Sequence, residues 1–294
     1  LLWRLSDWRP RGRGSVASLR DMAPFSVSLM LTDLISTFYM KLPQFFLGKL
    51  YPTATLGAFD QAVKLKDMPV TAATQSVQSV TFPALSEVRG DAPKFAESYR
   101  QVVLITAYVM FPAMLGLSAV AHDLFALLLS EKWMPTVPYF EVVCLAGLFY
   151  PVGMICYNVL KVMSRGPLIV RLEVVKKLLM TVVFAVTIPH SVTAVVWGLV
   201  VIAFGEMAVN FLATRRFTRF TTRRFLRTLL PVALVSGTMY LLVRLTACAV
   251  PGHLLLRLAA QLLVGAAAYV GLSVLFRLEA FGLLCDLMKK QAAR

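Results

Sequence analysis

The sequence predicts an all-α membrane protein, a polytopic bundle of about eight transmembrane helices. Three observations predict it. Hydrophobic residues make up 58% of the 294-residue chain, with a mean hydropathy of +0.72, where soluble domains are about 45–50% apolar. The excess lies in long apolar runs, each suited to a bilayer core roughly 30 Å thick. The connections between those runs alternate between strongly basic and nearly uncharged. Within hydrocarbon only helices or closed barrels satisfy their own backbone. These runs are too long and too continuous for barrel strands.

The spans are expected near 23–48, 54–85, 100–121, 137–161, 167–188, 192–213, 228–247 and 254–276. A basic cytoplasmic segment, 1–22, leads in with Arg4, Arg9, Arg11, Arg13 and Arg20. It lacks the apolar stretch of a signal peptide. With no initiator Met, the chain is expected to begin inside a longer one. The first two spans are the least apolar, and they carry Asp33, Lys41, Asp60, Lys64, Lys66 and Asp67. Arg89, Lys94 and Arg100 follow the second. Between the third and fourth, residues 124–129 are too short to cross. They are expected to lie in the outer interface as a short helix, with Trp133 at headgroup level.

Lys161 and Arg165 follow the fourth span, and an uncharged turn at 189–191 joins the fifth to the sixth. The basic loop 214–227 comes next, with Arg215, Arg216, Arg219, Arg223, Arg224 and Arg227. Phe217, Phe220 and Phe225 interleave them, which suits a cytoplasmic surface facing anionic lipid; a plain topology signal accounts for the arginines equally well. Two further spans fill 228–276, with Arg244 and Arg257 flanking their connection. A tail, 277–294, carries Arg277, Lys289, Lys290 and Arg294, and its first part reads as an interfacial helix. This alternation puts both ends on the cytoplasmic side of a bacterial inner membrane. Prolines at 43, 69, 112 and 151 fall within spans, where neighbouring helices re-satisfy the freed backbone groups.

Several function classes are excluded. The formal charge of +15 would suggest nucleic acid in a soluble protein, but here the basic residues sit in loops and no recognition helix or aromatic sheet motif accompanies them. No GxxxxGK[ST], HExxH, GxSxG or GxGxxG is present. The chain reads as a non-enzyme. Cys144, Cys156, Cys248 and Cys285 stand alone and His122, His190 and His253 lie far apart, so neither a metal site nor a disulfide is expected.

What remains is charge inside the membrane. A charged side chain at the bilayer centre costs about 2.5–3.5 kcal/mol on insertion scales, so it faces a partner or a watery cavity. Asp60, Lys64 and Asp67 are spaced four and three apart and share one helical face. Lys64 sits near mid-membrane. Two readings stay open: the three neutralise one another and hold helices in register, or they line a hydrated cavity where Lys64 meets an anionic substrate group. Gln75, Ser76, Gln78 and Ser79 extend the polar character and favour a wet face. In the fifth span Glu173 can reach both Lys176 and Lys177 along the helix, with snorkelling lysines as the plainer account. Lys41 and Asp33 in the first span could pair with the second.

The residues also resemble a family. Leu47-Gly48, Leu56-Gly57-Ala58-Phe59, Ala62, Asp67-Met68-Pro69-Val70 and the run Val80-Thr81-Phe82-Pro83-Ala84-Leu85-Ser86 are similar to the seventh and eighth helices of the polysaccharide transporter family. This is the O-antigen and colanic-acid flippase branch of the multidrug/oligosaccharidyl-lipid/polysaccharide exporter superfamily. Phe111-Pro112, Glu131-Lys132-Trp133, Val137-Pro138 and Leu172-Glu173-Val174-Val175-Lys176-Lys177 continue the likeness in order, over about residues 20–215. Ser130 stands where a glycine is usual, and Phe59 where a tyrosine is. The last two spans match by hydrophobicity alone.

The resemblance implies that 23–213 is the second lobe of a two-lobe flippase, with 228–276 an added helix pair. The partner lobe would precede it. The implied activity is alternating-access transfer of an undecaprenyl-diphosphate-linked oligosaccharide across the inner membrane for surface polysaccharide. The charged cavity would use Lys64, Asp60, Asp67, Lys41 and Lys176. Coupling to H+ or Na+, with no other cofactor, would fall to acids such as Asp33, Asp60, Asp67 and Glu173. Implied partners are the lipid-linked oligosaccharide, membrane lipids, and other polysaccharide-assembly proteins. Three alternatives are weighed against this: an ion-coupled drug antiporter of the same superfamily, which would favour acids in an apolar cavity; a membrane-embedded glycan polymerase or ligase, which would need a large periplasmic loop with catalytic residues; and a non-transporting scaffold of the assembly machinery.

Overall fold

The computed structural model describes residues 37–39, 41–163, 166–249 and 253–284. The chain divides into two compact units, Leu1–Phe45 and Phe46–Arg294. In the first, residues 37–39 and 41–45 are helical. The second carries the long helices, and no strand occurs among the described residues.

Helix α1, Thr53–Glu87, begins directly after Pro52, whose fixed φ suits the turn into a helix. Its 35 residues give a length of about 50 Å, more than a bilayer core needs. Pro69 and Pro83 lie inside it. Helix α2, Ala92–Ala119, is capped by Asp91, whose side chain accepts the Lys94 N–H at 3.1 Å. That bond holds the Asp91 carboxyl below its usual range. Val120 then breaks the helix, and the short α3, Ala121–Leu128, follows. A 3-10 turn, Glu131–Thr136, leads into α4, Val137–Val162. A short helix thus forms where one was expected, starting three residues before its apolar run.

Helices α5 (Gly166–Thr187), α6 (Val192–Thr214), α7 (Thr222–Ala249) and α8 (Leu254–Leu275) complete the bundle. Ser191 caps α6 by accepting the Ala194 N–H at 3.0 Å. Residues 279–284 form one more helical piece after Arg277, which takes a left-handed φ of 48°. Among the described residues, five stretches are long and apolar enough to cross a membrane: α2, Glu131–Val162, α6, α7 and α8. Helices α1 and α5 match their expected spans in position, but charges and side-chain amides dilute their hydropathy. The expected first span, near 23–48, lies largely outside the described residues. The chain is a multi-pass helical membrane protein.

Helix α4 is the hub: it packs on α6, α1 and α2, while α5 lies against α6, and the α7–α8 hairpin docks on α2. Two glycines set how closely its neighbours approach. A Cβ at Gly153 would stand 3.1 Å from the Met207 Cα of α6, and one at Gly147 would stand 2.5 Å from the Met114 sulfur of α2. Small residues at such crossings let backbones pack tightly when lipid supplies no hydrophobic drive between helices. At Gly153 the obstacle is backbone, which cannot swing away. Gly153→Val is therefore expected to destabilise the bundle by about 1–3 kcal/mol, read as earlier thermal unfolding in detergent.

The basic loop after α6 is pinned rather than spread on a surface. Phe220 and Phe225 are buried, and with Phe211 they form a ring cluster closed by Tyr99. Phe211 and Phe225 stack with centroids 4.0 Å apart. Two of the three phenylalanines expected to face lipid thus turn inward. Tyr99 also bonds Cys156 Sγ at 3.0 Å and lies 3.2 Å from Thr214 Oγ1, tying α2, α4 and α6 together at this end. Cys144 and Cys156 are buried packing residues.

Candidate functional site

Between Lys64 and Ser79 the exposed face of α1 carries a row of polar residues, interrupted by Met68. Lys64, Thr71, Gln75 and Ser79 are exposed and Asp67 is half exposed, at successive spacings of three and four. These positions form one stripe along the helix. A stripe of this kind is costly against lipid and suits a hydrated path or a protein partner. Lys64 makes no ion pair among the described residues. Asp67 pairs with its neighbour Lys66 at 2.5 Å, not with Lys64. The expected three-residue ion cluster does not close, because Lys66, only 16% exposed, is turned in towards Asp67. Asp60 keeps one carboxylate oxygen, Oδ1, buried and without a hydrogen bond.

A second group of charges stands on α4, α5 and α6. Glu173 accepts from Lys176 at 2.5 Å, one turn along α5. Lys176 is 7% exposed, although it lies about 15 Å into its helix. Its ammonium also sits 4.9 Å from the ring centroid of Tyr157 on α4, and Lys161 approaches the same ring at 4.6 Å. Cation–π contact compensates part of the lysine's lost hydration. Lys176 is therefore held inside the helix bundle, not snorkelling to a surface. Glu206 of α6 lies within the electrostatic reach of Lys176, Lys177 and Glu173.

Tyr150 joins the two groups. It stands two turns before Tyr157 on α4 and interacts electrostatically with both Asp67 of α1 and Glu206 of α6. A charged belt thus runs from Lys66 and Asp67, past Tyr150, to Glu206, Lys176 and Glu173. The structure brings Asp67, Glu173 and Lys176 onto this belt. It leaves Lys64 and Asp60 higher on α1. Lys41 is an exposed residue of the other unit, and Asp33 lies outside the described residues.

Sequence reasoning missed Glu206, Tyr150, Tyr157 and the contact of Lys161 with the Tyr157 ring. A signal for Glu206 existed: it is the lone charge within Val192–Thr214, and lone intramembrane acids are functional by default. Tyr150 and Tyr157 carried the weaker signal of two tyrosines seven apart. Lys161 was hidden by its place at a helix end, where lysines ordinarily mark topology.

Residues 1–138 match the family model described as polysaccharide biosynthesis protein. Over 146 residues the chain is 25% identical to the lipopolysaccharide biosynthesis protein WzxC of Escherichia coli K12, covering 50% of this chain and 30% of that protein. Over 209 residues it is 24% identical to a membrane protein in the cps region of Klebsiella pneumoniae, covering 70% of this chain and 42% of that one. The matches thus span less than half the length of these curated relatives. In fold it resembles the lipid II flippase MurJ in an inward closed conformation, with a TM-score of 0.70 at 14% identity, over 87% of this chain and 55% of that one. The first 138 residues thus resemble polysaccharide biosynthesis proteins, and the fold resembles that of a lipid flippase.

Proposed function

We propose that this bundle forms one wall of a membrane path for an undecaprenyl-diphosphate-linked oligosaccharide, moved by alternating access for surface polysaccharide. The single observation that carries the proposal is the polar stripe of α1 with an unpaired, exposed Lys64. A diphosphate crossing hydrocarbon needs cationic donors along its way. The α1 stripe supplies one in the open, and the belt on α4, α5 and α6 holds others in reserve. The relatives' names, a lipopolysaccharide biosynthesis protein and a lipid II flippase, support the same chemistry. The proposed setting is the bacterial inner membrane. The end that carries the basic loops faces the cytoplasm, as positive-inside sorting requires.

Ion coupling extends the proposal. Asp60, with a buried unbonded oxygen, and Glu173 are the acids best placed on this chain to carry H+ or Na+. Other polysaccharide-assembly proteins are proposed partners.

Lys64→Ala in the intact gene product is expected to cut surface polysaccharide about tenfold or more, the loss of one charge-assisted contact to phosphate, with the protein still inserted. Unchanged polysaccharide per inserted protein would remove Lys64 from the path.

A further inference from the structure

At the basic end of the bundle lies a pocket of about 340 Å³ that shares no residue with the belt. Its walls come from α2, α7 and the segment after α8. Arg100, Arg224 and Arg227 supply cations, and Glu279 an anion. Leu104, Pro231 and Val232 make an apolar back wall.

The three arginines are not equivalent. Arg100 is committed. It donates to both oxygens of Glu97 at 3.1 Å and to Glu279 at 2.9 Å. This latch ties α2 to the segment after α8 and shapes the wall. Arg224 and Arg227 are exposed and make no ion pair among the described residues. They stand three apart on one face of α7, so both guanidinium groups serve the same opening. Thr228, between them and the apolar wall, is buried and spends its hydroxyl on the Arg224 carbonyl at 2.8 Å. Arg100 offsets one of the two carboxylates it binds, and Glu97 also feels Arg224; three arginines against two carboxylates leave the mouth of the pocket net positive.

The position of the charges within the bundle completes the argument. Arg224 and Arg227 precede the apolar stretch of α7, and Pro231 and Val232 begin it. Cations at headgroup level above an apolar wall match the two parts of a phospholipid, its phosphate and the first carbons of its chains. A free phosphate ion would use the mouth alone and gain nothing from the wall. We propose that Arg224, Arg227 and the apolar wall beneath them form a site for the headgroup of an anionic glycerophospholipid. Basic pockets between helices on the cytoplasmic side recognise such headgroups. Paired planar guanidinium groups favour phosphate over other anions. The site would set the bundle against the lipid of one leaflet, apart from the transport path.

The test uses the intact gene product, purified in detergent and titrated with phosphatidylglycerol or phosphatidylcholine, with bound lipid counted by native mass spectrometry. The wild type is expected to prefer phosphatidylglycerol. Arg224→Gln with Arg227→Gln is expected to weaken that binding about tenfold. The Arg224→Lys, Arg227→Lys pair should retain much of it, while Arg216→Gln, outside the pocket, should not change it. Should the double glutamine variant fail to insert, each single variant is read the same way, with a smaller loss. Equal binding of both lipids by the wild type, or an unchanged preference in the glutamine variants, would overturn the site. Full displacement of phosphatidylglycerol by millimolar inorganic phosphate would overturn the lipid assignment in favour of a simple anion site.

Discussion

Arg257→Ala is expected to destabilise the protein by loosening the last helix from the rest of the bundle. Arg257 of α8 donates two bonds to Asp123 of α3, one at 2.8 Å to Oδ2 and a second, shorter one to Oδ1. Gln261, one turn further along α8, donates to the same carboxylate at 2.9 Å, and His122 approaches it at 3.3 Å. Asp123 is 3% exposed and Gln261 1%. Burial alone would raise the Asp123 carboxyl, but the bonds from Arg257, His122 and Gln261 outweigh it and hold it below the ordinary range. Removing the guanidinium leaves a buried carboxylate without its arginine counter-charge. Breaking such a pair costs about 3–5 kcal/mol when fully buried. Arg257 is 26% exposed, so solvent softens the loss to about 2–3 kcal/mol.

The consequence is local before it is global. The α7–α8 pair is held at one end by Arg257–Asp123 and Arg244–Glu141, at the other by Arg100–Glu279, and between them by Tyr108 and Tyr269 hydrogen bonds to Ser273 and the Tyr108 carbonyl. Loss of the first should loosen α8 from α3 while α4 and α6 stay packed. Limited proteolysis near residue 250, compared with whole-protein thermal unfolding, separates the two effects. Asp123→Leu combined with Arg257→Met should recover most of the stability, since an apolar pair of similar volume avoids the buried charge altogether. If Arg257→Ala unfolds no earlier than the wild type, the anchoring role fails.

These polar anchors mark where sequence reading reached its limit. Helix ends set by an abrupt change of polarity were legible: 137–161 was expected against Val137–Val162 found, and 254–276 against Leu254–Leu275. Ends that run past the lipid-matched stretch were not. Helix α7 begins at Thr222, six residues before its apolar span, because backbone hydrogen bonds continue through Arg223, Arg224 and Arg227 where hydropathy sees a loop. Helix α2 starts at Ala92 for the same reason, with Asp91 and Pro93 as the overlooked cap. Charge within spans was legible as composition, and the Glu173–Lys176 pair as spacing. Partner choice was not: helical period places Lys64 beside Asp67, yet packing against α4 turns Lys66 to it instead. The docking of the last two spans rests on contacts more than 100 residues apart in sequence, such as Tyr108 with Ser273, which no periodicity reveals.

Lys176 is where stability and transport should separate most clearly. Its ammonium is buried among Glu173, Glu206 and the Tyr157 ring. Lys176→Ala is expected to lower surface polysaccharide at least tenfold, as the belt loses its deepest cation. It should also destabilise the bundle by roughly 2–4 kcal/mol, because two acids are left facing each other with only Lys177 to offset them. Lys176→Ala together with Glu206→Gln restores the local charge balance and should return most of the stability. If Lys176 acts on the substrate, export stays lost in the double variant; if it merely neutralises Glu206, export returns with the fold. Export measured per inserted protein, beside thermal unfolding of the same preparations, distinguishes the two. A cation needed only to keep acids apart can be replaced by removing an acid, whereas one that must meet a diphosphate cannot.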